Sequence, residues 1–223
     1  AGMVHPQMAT MLCFITTDAV IDSTTLQKCL SSSVERSLNS LTVDGDMSTN
    51  DSVIALANGK SGCPKVTEGT PDYEAFEKAL AQVCMDLARA IAKDGEGATK
   101  YVEVRVVNAE SYADAKLAAM KVANSPLVKT AIFGQDPNWG RVLCAVGGSG
   151  AKVAPEKASL FFGDVKIVEN GEPIKLQPAV AREPMLSKDL RITVDLGLGN
   201  EEATVLTCDF SYEYVKINAE YHT

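Results

Sequence analysis

Histidine is nearly absent from this chain: His5 and His222 stand at opposite ends and there are no others. A histidine-rich metal centre is excluded, and a Ser-His-Asp triad is poorly supplied. Cysteine is present but never clustered. Cys13, Cys29, Cys63, Cys84, Cys144 and Cys208 come no closer than 16 residues to one another, so no CxxC metal or redox motif exists. Four sit in apolar contexts such as "MLCF" and "RVLC", and buried, reduced thiols of an intracellular protein are expected. No apolar run approaches the ~18 residues of a membrane span. No basic segment followed by an apolar one reads as a signal peptide. Positive charge is in deficit, with a net charge of −8. That argues against a nucleic-acid partner and against docking on anionic lipid. What remains is a chain of 223 residues, 46% hydrophobic, which is enough for one large core or two small ones. It shows no internal repeat, low-complexity tract or linker.

Periodicity supplies the elements. Residues 10–17 read as a strand. Leu26, Leu30, Val34 and Leu38 recur every four residues and predict an amphipathic helix over about 23–40. In "TVDGDMSTNDSVIALANG" the first half is turn-rich. The second half reads as a short helix entered through Ser48, Asn50 or Asp51 and stopped by Gly59. A loop follows over 60–69. Thr70 then caps a long helix with Pro71 in its first turn, Phe76, Leu80, Val83, Leu87 and Ile91 along one face, and Gly95 as its stop. "YVEVRVV" alternates as a half-buried strand. Ser111 with Asp114 opens a helix running to Pro126. "LVKTAIFG" reads as a strand, and "QDPNWGR" as a turn into a short helix over 140–147. Beyond residue 158 the chain reads as mostly β. A hairpin turns at Asn170-Gly171, "LRITVDLG" is a strand, and a last strand alternates from 203 to 217 with Leu206, Cys208, Phe210, Tyr212 and Tyr214 on one face. The sum is one α/β unit with mixed sheets.

The candidate chemistry is sparse. "GGSGAK" lacks phosphate-loop spacing and follows a helix, so a phosphate site is disfavoured. Glu96 of "DGEG" projects from between two glycines, yet on the residues alone a solvated turn glutamate is the plainer reading. Asp44 and Asp46 of "TVDGD" have too few oxygen neighbours for a calcium loop and read as turn residues. In "DPNWGR", after Asp136, Arg141 suits a substrate carboxylate. Equally, Trp139 would anchor the turn in the core while Arg141 pairs with a surface acid. Thr10 alone is a strand residue. A hydroxyl attacks only when a base takes its proton, and one way to supply that base without histidine is to make the threonine N-terminal. Its α-amine, a group that ordinarily titrates near pH ~8, would then serve. That requires a cut between Ala9 and Thr10, which composition does not reveal.

Several stretches in order, "GMVHPQMATMLCFITTDA", "TVDGDMSTNDSVIALANG", "DGEGATK", "DPNWGR" and "YVKINAEYHT", resemble the C-terminal half of the ornithine acetyltransferase (glutamate N-acetyltransferase) family. The resemblance runs from Gly2 to Thr223.

It implies an αββα sandwich similar to that of the DmpA-type aminopeptidases. It implies a precursor that cuts itself between Ala9 and Thr10, so that residues 1–9 are the tail of an α chain and 10–223 the catalytic β chain. The two chains would stay together and pair into an α2β2 heterotetramer. The implied reaction moves an acetyl group from N-acetylornithine to glutamate through an acetyl-enzyme on Thr10, without cofactor or metal. Some members also take acetyl-CoA as a substrate. Thr10, Glu96, Asn218 and Thr223 match the family's substrate contacts, and the α chain supplies the oxyanion hole. A substrate-binding lysine falls immediately before Ala1. An intact Ala9–Thr10 bond would leave no free amine and an inactive molecule. The expected compartment is the cytoplasm, or an organellar matrix or plastid in a eukaryote. Two other readings stand beside this one: an amidohydrolase or aminopeptidase on the same fold, and a non-catalytic subunit or binding module.

Overall fold

The computed structural model describes residues 1–5 and 11–221. Its elements are β1 (Leu12–Thr17), α1 (Ser23–Glu35), β2 (Ser52–Ala57), α2 (Pro71–Lys93), β3 (Tyr101–Ala109), α3 (Tyr112–Ala123), α4 (Pro126–Phe133), α5 (Trp139–Gly147), β4 (Ser159–Phe162), β5 (Val165–Glu169), β6 (Glu172–Pro173), α6 (Pro178–Arg182), β7 (Asp189–Asp195), β8 (Glu201–Cys208) and α7 (Tyr212–Glu220). Six strands form a mixed sheet in the order β6-β5-β4-β7-β3-β8, with β3 parallel to β7 and antiparallel to β8. β1 and β2 form a separate parallel pair.

Alternation along the central strands decides the layers. Val102, Val104 and Val106 of β3, Ile192 and Val194 of β7, and Val205 of β8 point to one face, where Ala115, Ala118, Ala119 and Val122 of α3 cover them. Small residues on α3 let the helix lie close to the sheet. On the other face, Tyr101, Leu206 and Cys208 meet Ala88 and Ala92 of α2. The β1–β2 pair is backed by α1 and α2 through Ile15, Val53, Ala55, Cys29, Leu30, Leu80 and Cys84. Helix α2 packs on both sheets, α3 covers the other face of the larger one, and the result is the expected mixed α/β architecture. The smaller sheet is wholly parallel rather than mixed.

Two caps, Thr70 and Ser111, fall where the sequence predicts them, and Asn138 adds a third. Thr70, Ser111 and Asn138 accept the first free amides of α2, α3 and α5. Asn170 and Gly171 both take positive φ at the β5–β6 hairpin. Among the described residues, no helix is long and apolar enough to cross a membrane.

Five expectations are corrected. "SVIALA" is strand β2, not a helix. Val53 and Ala55 turn inward, Ile54 and Leu56 turn outward, and pairing with β1 settles a run too short for periodicity to decide. "LVKTAIF" is helix α4, because Ser125 caps it and Pro126 occupies its first turn. The last strand stops at Cys208, and residues 212–220 are helix α7. The cause is Asp209, fully buried, whose carboxylate accepts from the amides of Thr99 at 2.8 Å and Lys100 at 2.9 Å and from the Thr99 hydroxyl. That ends the ladder, and Ser211 then caps α7. On α2 the buried face is Leu80, Cys84, Ala88 and Ala92, while Val83 and Leu87 lie exposed. Finally, Cys29, Cys84 and Cys208 are buried, but Cys144 is exposed on α5 despite its apolar context.

Candidate active site

The loop after α2 carries Glu96 between two glycines. Its backbone N–H donates to the Ala1 carbonyl at 2.9 Å, which lays the segment 1–4 beside it. Gly2 lets the segment sit that close: a Cβ there would stand 2.5 Å from a Glu96 carboxylate oxygen. On the other side Asn218, near the end of α7, donates from Nδ2 to Glu96 Oε2 at 2.9 Å and to the Tyr214 carbonyl at 3.0 Å. Two residues 122 positions apart, both matched to substrate contacts, therefore meet. The other matched residues, Thr10 and Thr223, and the cleavage partner Ala9 lie outside the described residues.

Gly97 makes the meeting possible. It has φ +66, and a Cβ on it would lie 2.4 Å from the Tyr214 nitrogen in the first turn of α7. The Ser211 hydroxyl, which caps α7, also donates to the Gly97 carbonyl. Gly97→Ala adds a left-handed penalty of about 1–2 kcal/mol and a backbone clash that pushes α7 away. The expected result is a thermal midpoint lower by several degrees in a calorimetric scan. A midpoint equal to the parent's would mean that α7 does not depend on this approach.

Carboxylates gather around the same place. Tyr214 has its phenol pushed up to about 12, first by burial and then by the nearby Asp44, Asp46 and Glu96 charges. Tyr214 also stacks on Phe210 at 4.4 Å between centroids. His5 is pushed below its ordinary value by burial, which outweighs the opposing pull of Asp44 and Asp46. Its Nδ1 lies 3.4 Å from both the Thr42 hydroxyl and the Asn124 amide, and Thr42 donates to Asn124 Oδ1 at 2.7 Å. The nearby charges of Asp44, Asp46 and Glu96 favour a cation over an anion here.

Asp44 is more than a turn residue, and Asp51 more than a helix entry. Asp44 accepts the backbone amides of Met3 at 2.7 Å and Val4 at 3.2 Å. Asp51 accepts the Met11 amide at 2.8 Å. A cavity of about 390 Å³ opens between these two arms, with Val4, His5, Met11, Glu35 and Asp51 among its walls. No motif signals these roles, because each carboxylate's partner is main chain.

In the "DPNWGR" turn the expected core anchor and surface ion pair are not formed among the described residues. Arg141 donates to the Leu127 carbonyl at 2.8 Å, Trp139 is exposed on α5, and Asp136 accepts from Asn138 within the turn. Lys152 of "GGSGAK" pairs with Glu110.

Fold and site together define a mixed α/β protein in which Asp44 binds the amides of Met3 and Val4 and the Glu96–Asn218 pair lies beside the same segment. The ArgJ family model matches residues 1–223. The arginine biosynthesis bifunctional protein ArgJ of Symbiobacterium thermophilum is 50% identical over 223 residues, covering 100% of this chain and 56% of the relative. That of Geobacter sulfurreducens is 53% identical over 225 residues, covering 100% and 57%. The mitochondrial ArgJ of Neurospora crassa is 48% identical over 240 residues, covering 100% and 51%. The crystal structure of the ArgJ protein from Bacillus halodurans superposes with a TM-score of 0.92 at 43% identity, covering 95% of this chain and 100% of that one. The chain belongs to the ArgJ family, and it spans about half the length of the curated relatives it matches.

Proposed function

We propose that this chain is the catalytic part of a glutamate N-acetyltransferase of arginine biosynthesis. It would take the acetyl group from N-acetylornithine and pass it to glutamate. The observation that carries this reading is the Glu96–Asn218 pair at 2.9 Å, set against the segment that leads to Ala9–Thr10. The carboxylate suits an ornithine ammonium group, and the amide fixes the carboxylate's orientation.

In this reading the Thr10 hydroxyl attacks the Ala9 carbonyl. A C–O bond forms, the C–N bond breaks, and the hydroxyl proton passes to the departing amine. Water then hydrolyses the ester, leaving the Ala9 carboxylate and a free Thr10 amine. That amine acts as the base when the hydroxyl attacks N-acetylornithine, and as the acid for leaving ornithine. The glutamate amine then collects the acetyl group. Residues 1–9 become the tail of the α chain and 10–223 the β chain.

The partner is the remainder of the precursor, in an α2β2 assembly. Its support is twofold: the curated relatives are about twice as long as this chain, and the outer face of the β1–β2 sheet is apolar and uncovered. Leu12 is 66% exposed, Phe14 63% and Leu56 56%, with Ile54 beside them. A patch of that kind on a soluble protein marks an interface. The α chain would also bring the oxyanion hole. No cofactor takes part, and acetyl-CoA is an alternative acetyl donor. The compartment is the cytoplasm or an organellar matrix, in keeping with the mitochondrial name of the Neurospora crassa relative.

Incubating the full-length protein with N-acetylornithine, with and without glutamate, tests the reading. Ornithine release should depend on glutamate and be matched by N-acetylglutamate. Acetate release that is indifferent to glutamate would instead support a hydrolase on the same fold.

A further inference from the structure

The described residues on either side of 6–10, Val4 and Met11, attach to different sheets. Upstream, the Val4 carbonyl accepts from the Val43 amide at 2.8 Å, while Met3 and Val4 donate to Asp44. Residues 41–43 in turn lie along edge strand β8, through a Leu41–Leu206 bridge and a Thr42 amide to Leu206 carbonyl bond of 2.9 Å. The upstream arm therefore hangs on the six-stranded sheet. Downstream, the Met11 amide donates to Asp51 Oδ1 at 2.8 Å, and the Met11 carbonyl accepts from the Ser52 amide at 3.0 Å. The downstream arm therefore starts the β1–β2 sheet. Both arms are held by carboxylates of one short stretch, residues 44–51.

We propose that Asp51 is a positioning residue for Thr10, and that Asp44 is its counterpart on the upstream arm. Asp51 holds the Met11 amide, whose nitrogen is bonded directly to the Thr10 carbonyl carbon, so its carboxylate restrains the link that joins Thr10 to β1. Asp44 holds Met3 and Val4, which lie upstream of Ala9 in the chain. A hydrogen bond to a carboxylate is among the stronger and shorter ones available to a backbone amide, which suits a role in fixing geometry. The inference rests on the proposed Thr10 chemistry.

The test uses the full-length precursor and three replacements of Asp51. Asp51→Asn keeps an oxygen acceptor for the Met11 amide. Asp51→Leu keeps the branched outline and removes the acceptor. Asp51→Glu moves the acceptor by one methylene. Cleavage is followed by intact mass, and kcat and KM are normalised to the fraction bearing an N-terminal threonine. Misplacing a reacting group by an ångström costs about a hundredfold in rate. Asp51→Leu should therefore lose about a hundredfold in both cleavage rate and kcat, with KM for N-acetylornithine changed less than about threefold. Asp51→Asn should stay within about tenfold of the parent, and Asp44→Ala should slow cleavage. Parental cleavage and kcat in Asp51→Leu overturn the proposal, as does an Asp51→Asn protein as impaired as Asp51→Leu. Should Asp51→Leu not fold, Asp51→Glu decides: a tenfold or greater fall in kcat supports the proposal and an unchanged kcat overturns it. Transfer by Thr10→Ala would sink the Thr10 reading itself, whereas an inert Thr10→Ala beside a fully active Asp51→Leu sinks only the role of Asp51.

Discussion

Thr10→Ala in the full-length precursor is expected to leave a single uncut polypeptide and to lower acetyl transfer by more than about 10³-fold. One hydroxyl serves two steps in this account, so its loss should remove both together. Nearby groups offer no substitute. Cys13 is half-buried, and burial raises its thiol above the ordinary value, which keeps the thiolate scarce. His5, Asp44 and Asp51, which flank the arms, are each already engaged in hydrogen bonds. Thr10→Ser keeps a hydroxyl and should still cut and transfer, at a reduced rate. Denaturing gels report the cut and ornithine release reports the transfer. A Thr10→Ala protein that is cut, or that transfers, would remove Thr10 from the centre of the chemistry.

Lys129→Ala is expected to cost about 3–5 kcal/mol, from a cavity left in the core together with two stranded hydrogen-bond acceptors. Lys129 sits on α4 and is 1% exposed. Its ammonium donates to the Thr207 hydroxyl at 2.8 Å and to the Cys208 carbonyl, and it lies 4.5 Å from the Phe210 ring centroid. It joins α4 to the end of β8, where the chain turns toward α7 and Asn218. Alanine would leave a cavity and strand both acceptors. Lys129→Met fills the space but not the hydrogen bonds, and should cost less, about 1–3 kcal/mol. For a chain of this length the alanine variant should melt about 10 °C or more below the parent.

Burial lowers the Lys129 ammonium below its ordinary value, against the pull of Cys208, Asp209 and Asp44. Between that lowered folded value and the ordinary 10.5 the unfolded chain binds more protons than the folded one. This group's contribution therefore rises with pH through that window and is fully present above 10.5. Burial and nearby acids raise the Tyr214 phenol, which acts in the opposite sense in the alkaline range. The difference between parent and Lys129→Met, followed against pH, isolates the lysine. A difference that does not grow with pH would contradict the assignment.

Much of this architecture is legible residue by residue, and the exceptions share a cause. Thr70, Ser111 and Asn138 act on amides only a few positions away, so local pattern suffices to place α2, α3 and α5. β2 is ambiguous in sequence because a short apolar run fits helix or strand equally well, and its partner β1 lies far along the chain. The end of β8 escapes local pattern because Asp209 is satisfied by Thr99, 110 positions away. The alternation of Phe210, Tyr212 and Tyr214 continues past the true end and conceals α7. That error bears on the site, since Asn218 reaches Glu96 from a helix and would not do so from an extended strand. Glu96 and Asn218 are marked by family resemblance, not by spacing. Asp44 reads as a turn residue and Asp51 as a helix entry because a carboxylate bound to backbone amides leaves no side-chain pattern to read.

The central claim is that Thr10 carries the acetyl group, and the most direct measurement is the mass of the β chain after quenching. The full-length protein is mixed with N-acetylornithine in the absence of glutamate, stopped in acid and analysed intact and as peptides. The account predicts a chain beginning at Thr10 that gains one acetyl group on the Thr10 hydroxyl and loses it when glutamate is added before quenching. A chain that begins elsewhere, or an acetyl group on any other residue that glutamate discharges, would contradict it.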